Sequence, residues 1–382
     1  MRKKVGIVGC GVIAQIYVED FQQCYNDKIE VYACSDIVEE RARELAEQYD
    51  IPVVCTTEEM MQIPEIDIIM DLAIPAVHTE INQMALRAGK HLYCEKPLAM
   101  SMEDARETIA IAKERGLLIS CAPETFMGPA LQTCRKLIDD GWIGEPISAT
   151  TNIVGWGPEI WHPHPHFLYQ KGAGPHMDMG PYAMAALVDL FGPMKRLQCM
   201  SKRSMDKRYI YSMPDRGSYI DVEVDTTYSA SAEMVNGVIV GISMTFDTWS
   251  SHMPALEVYG TEGCLQIPHP ADFAGKIMLY RANGVVDSLE GRGDVPGKDS
   301  WYEIPMLYCG SLGNRRGIGV VDLAAAIDVG RKPRANEDFV LHCLEIALAF
   351  DKASASGETY WFETRCSRPE PMPQCIEIAR MD

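Results

Sequence analysis

The 382-residue sequence has no run of about 18 apolar residues, the length a helix needs to cross a bilayer. No membrane span is therefore expected. The opening "MRKKVGIVGCGVIA" has the outline of a secretion signal. Its apolar run is too short and too broken by glycine, and a strand entering a turn fits it better. Positive charge is also scarce: 35 Lys and Arg stand against 54 Asp and Glu, a net charge of −19. Such a chain repels nucleic-acid phosphates and anionic membrane surfaces, so neither is an expected partner. Blocks of five or six like charges, internal repeats and low-complexity segments are absent from the sequence. The thirteen cysteines include no C-x-x-C, and the closest pair, Cys366 and Cys375, is nine apart. Without a disulfide framework they read as reduced thiols of a cytoplasmic protein, most of them buried as small hydrophobes.

What is present is an ordinary globular composition, 47% apolar and 23% charged. The length exceeds one core and suggests two domains. Residues 1–123 alternate short apolar runs with helical patterns, the mark of βαβ units and a doubly wound parallel sheet. Strands are expected at Lys4–Gly9, Ile29–Asp36, Ile66–Ala73, His91–Pro97 and Leu117–Ala122. Helices are expected from Val12, over Val38–Tyr49, from Pro75 to near Gly89, and from a Ser101/Asp104 capping box to Arg115, closed by Gly116. Residues 124–382 read differently. After a helix near Pro129–Asp140 come longer strands with period-two alternation, including a hairpin over Thr226–Phe246 turning at Asn236-Gly237 and another over Ala255–Ile267. This is the pattern of an α+β domain on a mostly antiparallel sheet. Helical patterns return at Gly319–Val329 and Phe339–Ser354, and the proline-rich tail after Arg365 reads as irregular.

"GIVGCGVIA" places Gly9, Gly11 and Ala14 in G-x-G-x-x-A spacing between the first strand and a helix opened by Val12 and Ile13. Gly9 permits the tight turn, Gly11 lets backbone approach a pyrophosphate, and Ala14 lets the helix sit close to the strand. The amides and dipole of the helix N-terminus then meet the phosphates. Asp36, 22 residues past Ala14, stands where a carboxylate accepts hydrogen bonds from a ribose hydroxyl. It would repel a 2′-phosphate, so NAD is expected over NADP, although Arg41 is near.

"YCEKPLA" puts Glu95, Lys96 and Pro97 at the carboxyl end of a strand, the edge that faces ligand in open α/β sheets. With "GCGVIA", "PAVH" (Pro75–His78), "KGAGPHMDMGPY" and "YGTEG", the whole chain resembles the Gfo/Idh/MocA oxidoreductase family. The resemblance implies bound NAD(P), held also by Pro75, His78, Glu95 and Lys96. It implies hydride transfer at a carbinol carbon of a sugar, polyol or glycoside, and homo-oligomers packed through the C-terminal sheet. An uncovered apolar sheet face would itself call for a partner. The family pairs its lysine with a D-x-G-x-H motif; Asp178 and Gly180 match it, and Tyr182 stands where many members carry His, a departure known within the family. Oxidation of a carbinol needs a hydride acceptor, a base and a positive charge on the growing alkoxide. Lys96 supplies the charge; Tyr182 takes the proton if Lys96 lowers its pKa, Asp178 orients the hydroxyl or Lys96 or acts as base itself, and His176 is a further candidate. An N-cap role for Asp178 and simple packing for Tyr182 are the plainer alternatives.

"GWGPEIWHPHPHFLYQ" brings Trp161, His162 and His164 together, and His176 lies two residues before Asp178. Rings with polar tips suit a sugar. Alternating histidines also raise a metal, but no further ligand is fixed by the sequence and none is expected. "FDTWSSH" offers Asp247 and Trp249 as a second wall. Two other functions compete: a redox-neutral glycosidase that retains its NAD and acts by transient oxidation and elimination, and a non-catalytic NAD-binding sensor.

Overall fold

A computed structural model describes residues 2–282, 301–308 and 316–374. The chain divides into two compact units, Met1–Glu124 with Arg315–Leu344, and Thr125–Asn314 with Glu345–Asp382.

In the first unit six strands, β1 (Lys3–Val8), β2 (Ile29–Ser35), β3 (Val53–Val54), β4 (Ile68–Asp71), β5 (His91–Cys94) and β6 (Ile119–Cys121), form a parallel sheet in the order β3-β2-β1-β4-β5-β6. The order reverses beside β1, so the loops after β1 and β4 border the crevice where open sheets of this kind bind ligand. The crossovers carry α1 (Val12–Cys24), α2 (Glu39–Tyr49), α3 (Thr57–Met61), α4 (His78–Arg87) and α5 (Met102–Arg115). The five expected strands and four expected helices fall within a few residues of their positions, whereas β3 and α3 were not expected, and two helix openings differ in detail. Pro75 opens a short 3₁₀ turn, Pro75–Val77, before α4. At α5 the Ser101 hydroxyl caps the Asp104 amide and donates to the Asp104 carboxylate, rather than receiving the carboxylate on its own amide. The reciprocal box is at Thr56 and Glu59, which sequence reading missed.

The domain boundary at 123/124 also needs amending. The segment after residue 315 returns to the first unit because Val320, Leu323 and Ala324 are buried in one cluster with Tyr17, Phe21 and Tyr93. An apolar helix pattern says that a face is buried, not against which partner.

The second unit contains α6 (Pro129–Asp139), α7 (Pro175–Asp178) and α8 (Gly180–Phe191). Its strands are β7 (Pro146–Val154), β8 (Met194–Lys202), β9 (Lys207–Tyr209), β10 (Tyr219–Asp221), β11 (Thr227–Met234), β12 (Ile239–Thr245), β13 (Leu256–Gly260), β14 (Gly263–Ile267), β15 (Ile277–Arg281), β16 (Trp301–Ile304) and β17 (Tyr360–Trp361). Among the described residues nine of them form one sheet, β16-β15-β14-β13-β7-β12-β11-β8-β17. It is antiparallel apart from the β7–β12 pair. Both expected hairpins are present. The remaining helices are α9 (Ile318–Val329) and α10 (Glu337–Ser356). No regular structure follows Phe362 up to residue 374, and the end of the tail lies outside the described residues.

One face of the large sheet is core: Tyr228, Ala230, Ala232, Met234, Val240, Ile242 and Met244 are buried. The opposite face carries a polar row in direct register, Gln198, Ser231, Gly241, Thr150, Glu257 and Gln266, none of them buried. Period-two alternation identifies which residues share a face but not how the other face is finished.

Candidate functional site

The first unit holds the residues expected to receive a dinucleotide. Gly9 follows β1 at φ +95°, and its amide donates to the Ser35 carbonyl at 2.8 Å. A Cβ there would lie 2.7 Å from backbone atoms of Leu72 and Ala73. The fold itself thus demands this glycine. Gly11 is different: it caps α1 in an extended conformation, and a Cβ on it would meet nothing within 4 Å. Among the described residues nothing requires its bareness, which suits it to a close approach of pyrophosphate to the first amides of α1. Val12 is exposed at that end, and Ala14 is fully buried against the sheet. Asp36 is half-buried and strapped in place, with Oδ2 accepting from the Cys10 amide and Oδ1 from the Val38 amide, both at 2.8 Å.

This contrast predicts different outcomes for the two glycines. Gly9→Ala should lower the melting temperature of the first unit, because it adds both a backbone collision and a left-handed alanine costing about 1 kcal/mol. Gly11→Ala should melt normally and bind NAD roughly tenfold or more weakly, about 1.4 kcal/mol. Thermal melts and NAD titration calorimetry on both variants separate the cases, and equal behaviour would refute the distinction.

His78 and Glu95, expected to touch cofactor, are turned inward. The His78 ring is fully buried, with Nδ1 2.7 Å from the Pro97 carbonyl and Nε2 3.0 Å from the Ala73 carbonyl. Carbonyl oxygens only accept, so both ring nitrogens carry protons. Burial opposes that charge, but Cys94, Asp71 and the Pro97 carbonyl outweigh it and push the ring up to about 10. His78 thus ties the loop at Pro75 to the Lys96-Pro97 turn. Asp71, His78 and Cys94 each offer a ligand atom within 4.8 Å of the others. With both ring nitrogens donating, His78 has no lone pair for a metal, and the three are not read as a metal site. Glu95 is 8% exposed. It accepts from the Tyr17 hydroxyl at 2.9 Å and the Lys96 amide at 3.1 Å. Lys96 and Pro75 are half-buried.

The second unit holds the residues expected on the substrate side. Gly174, at φ +111°, turns the chain into Pro175, which opens α7. Asp178 ends α7 half-buried. The N-cap of α8 is Met179, without a side-chain cap, so Asp178 is not the helix cap. Tyr182 is 5% exposed in the first turn of α8. His162 lies within electrostatic reach of Asp178: burial pulls the imidazole down and the Asp178 charge opposes it. The His162 Nδ1 accepts the His164 amide at 3.0 Å, which places its proton on Nε2, and its ring sits edge-on between Trp161 and Phe167, 5.4 Å from each. Trp161 is 64% exposed.

Other expected substrate contacts have different surroundings. His176 is 1% exposed, with Nε2 3.3 Å from the Asp351 carboxylate and its ring 4.4 Å from that of Tyr228; it is a core residue of the second unit. His164 is exposed and pairs loosely with Asp215 at 3.7 Å. The Asp247 carboxylate is saturated: it accepts from Ser204, Thr226, Thr227 and, at 2.6 Å, Arg208. Burial alone would raise its pKa, but these donors hold it below the ordinary carboxylate value. Trp249 is 72% exposed and lies flat on Trp156, the rings 3.6 Å apart and 10° from parallel.

Sequence reading missed what holds this region. Arg208, on the short β9 strand, bonds Glu159 at 2.8 Å and the Phe246 carbonyl at 2.8 Å in addition to Asp247, and stacks 4.5 Å from the Trp156 ring. Tyr169 also donates to Glu159. Arg208 sits in a three-residue strand 49 positions from Glu159, and no local pattern joins them.

Comparison with known proteins gives the following. Residues 3–122 match the family model described as oxidoreductase family, NAD-binding Rossmann fold, and residues 131–266 match that described as GFO/IDH/MocA C-terminal domain. An uncharacterized oxidoreductase, C115.03, of Schizosaccharomyces pombe is 27% identical over 197 residues, covering 50% of this chain and 52% of the relative. The 1,5-anhydro-D-fructose reductase of Ensifer adhaerens is 25% identical over 369 residues, covering 94% of this chain and 98% of that protein. A solved structure of levoglucosan dehydrogenase in complex with NADH and L-sorbose shares the fold, with a TM-score of 0.78 at 20% identity, covering 95% of this chain and 99% of the other.

Proposed function

The chain belongs to the GFO/IDH/MocA family of NAD-binding oxidoreductases, and from that premise we propose that it is an NAD-dependent dehydrogenase acting on a carbinol carbon of a sugar, polyol or glycoside. The observation that carries the cofactor half is the bare Gly11 at the start of α1, which the protein's own packing does not use. The substrate class is supported by the reductase relative that aligns over nearly the whole chain, and by the exposed indoles of Trp161 and Trp249, flat surfaces suited to the C–H faces of a sugar.

The amides opening α1 would hold the pyrophosphate, and Asp36 would accept from the adenosine ribose. NAD, when bound, supplies the hydride acceptor. Lys96 stabilises negative charge growing on the substrate oxygen. Asp178 and Tyr182 orient that hydroxyl and take its proton, with the neutral His162 presenting Nε2–H as a donor near Asp178. The roles of His78 and Glu95 are to hold the loops that bear Pro75 and Lys96. A cytoplasmic location is supported by the free thiols of every cysteine among the described residues, and no helix among them is long and apolar enough to cross a membrane. Assembly into homo-oligomers rests on the family likeness alone.

The test is a panel of free sugars, polyols and glycosides read at the NADH absorbance. At least one member should reduce NAD, and NADP should serve at least tenfold less well, because the Asp36 carboxylate repels a 2′-phosphate. NAD binding without turnover on any member would indicate a sensor. Glycoside cleavage without net NADH would indicate the redox-neutral route.

A further inference from the structure

Beneath the Glu95-Lys96 turn, four side chains of the first unit form a line of oxygens. The Tyr17 hydroxyl is 2.9 Å from Glu95 Oε1 and 3.0 Å from the Tyr93 hydroxyl, and Tyr93 is 2.9 Å from Glu124 Oε2. Tyr17, Tyr93 and Glu124 are fully buried. At one end Glu95 accepts the Lys96 amide and faces the Arg316 guanidinium at 3.5 Å. At the other, Glu124 accepts the Gly317 amide at 2.6 Å and the Gly319 amide at 2.7 Å.

The protons of this line can be counted. Three oxygen–oxygen contacts need three hydrogens, and the two phenols bring two. With both carboxylates ionised, one buried contact sets lone pairs against lone pairs, which is costly where no solvent can intervene. One added proton completes the line: Glu124 donates to Tyr93, Tyr93 to Tyr17, and Tyr17 to the Glu95 carboxylate.

We propose that Glu124, Tyr93, Tyr17 and Glu95 form a relay that binds one extra proton, held at the Glu124 end, and that the completed line positions the Glu95-Lys96 turn. The charge stays on Glu95 because Arg316 and the Lys96 amide stand beside it and it is the less buried of the two. Burial raises the Glu124 carboxyl to about 7, against Arg316, the two glycine amides and Tyr93, which lower it. The other groups facing the line are the Cys94 and Cys121 thiols at the Glu95 carbonyl and Asp20, which accepts the Arg316 amide at 2.7 Å. Because the folded state holds this proton to a higher pH than the unfolded chain, stability from this group falls as pH rises from the ordinary glutamate value of 4.5 through about 7.

The relay stands on unit-one geometry; its consequence for turnover rests on the dehydrogenase reading, and the test keeps the two apart. Infrared pH titration of the intact protein should show a buried carboxylic-acid C=O stretch at pH 6 that is lost as pH rises through about 7. Tyr17→Phe removes the contact that needs the third proton, so the midpoint should fall by about one unit or more, a tenfold weaker proton affinity. Glu124→Gln should remove the band. Tyr93→Phe breaks the line at its other phenol and serves if Tyr17→Phe does not fold. Absence of the band in the unaltered protein, or an unmoved midpoint in both phenylalanine variants, overturns the relay whatever the enzyme's activity. Where turnover is measurable, Tyr17→Phe should lower kcat with little change in the KM for NAD and should move the inflection of the pH profile down by the same amount as the infrared midpoint, whereas a merely structural loss would leave the inflection where it was.

Discussion

Lys96→Ala should leave NAD bound and the protein folded while lowering turnover by roughly 10³-fold, the scale of losing one preorganised charge at a developing oxyanion. The fold explains why binding and chemistry should separate. The turn that bears Lys96 is held by backbone: its amide donates to Glu95 and the Pro97 carbonyl accepts from His78. Alanine keeps both of these backbone contacts while removing the ammonium. Thermal melts, NAD titration and steady-state kinetics on a substrate from the panel make the comparison. Turnover within tenfold of the unaltered enzyme would take Lys96 out of the mechanism, and loss of NAD binding would recast it as a cofactor residue.

Arg208→Ala should produce the largest loss of stability. The guanidinium is buried between two carboxylates, Glu159 at 2.8 Å and Asp247 at 2.6 Å, and covers the Trp156 ring. Asp247 would retain three hydroxyl donors. Glu159, fully buried, would keep the Tyr169 hydroxyl and the Tyr211 and Ser212 amides at its carbonyl but no cation. Breaking one side of a buried pair costs about 3–5 kcal/mol, or roughly 6–20 °C in the melting of a unit this size. Adding Glu159→Gln to Arg208→Ala should recover part of the loss by removing the stranded charge. If the double variant melts lower than the single one, packing on Trp156 rather than charge is what Arg208 supplies. Either variant should also loosen Trp249, whose inner face rests on Trp156.

These two cases differ in how legible they were. Lys96 lies in a local motif at a strand end, and the spacing of Gly9, Gly11, Ala14 and Asp36 is equally local. Periodicity of 2 and 3.6 located the longer strands and helices of both units because burial of one face repeats along the chain, whereas short elements such as β3, α3, β9 and β10 were not seen. The direction of a polar side chain does not repeat. His78, Glu95, His176 and Asp247 were each expected to face a ligand, and each is committed to the interior of its own unit. Partners such as Pro97 for His78 and Asp351 for His176, 19 and 175 residues away, were not in view.

By itself, then, the sequence determined the succession of βαβ units, the switch to hairpins, and the spacing of the dinucleotide loop. Only the tertiary structure decided that Gly9 serves the fold while Gly11 is left open, that the segment after residue 315 rejoins the first unit, and that Arg208 is clamped between Glu159 and Asp247. It also decided that Tyr17, Tyr93, Glu95 and Glu124 share one line of oxygens. The physical reason is the same each time: local steric preferences act between neighbours in the chain, whereas the cost of burying a charge or an unpaired oxygen is met by whichever distant group the packing brings beside it.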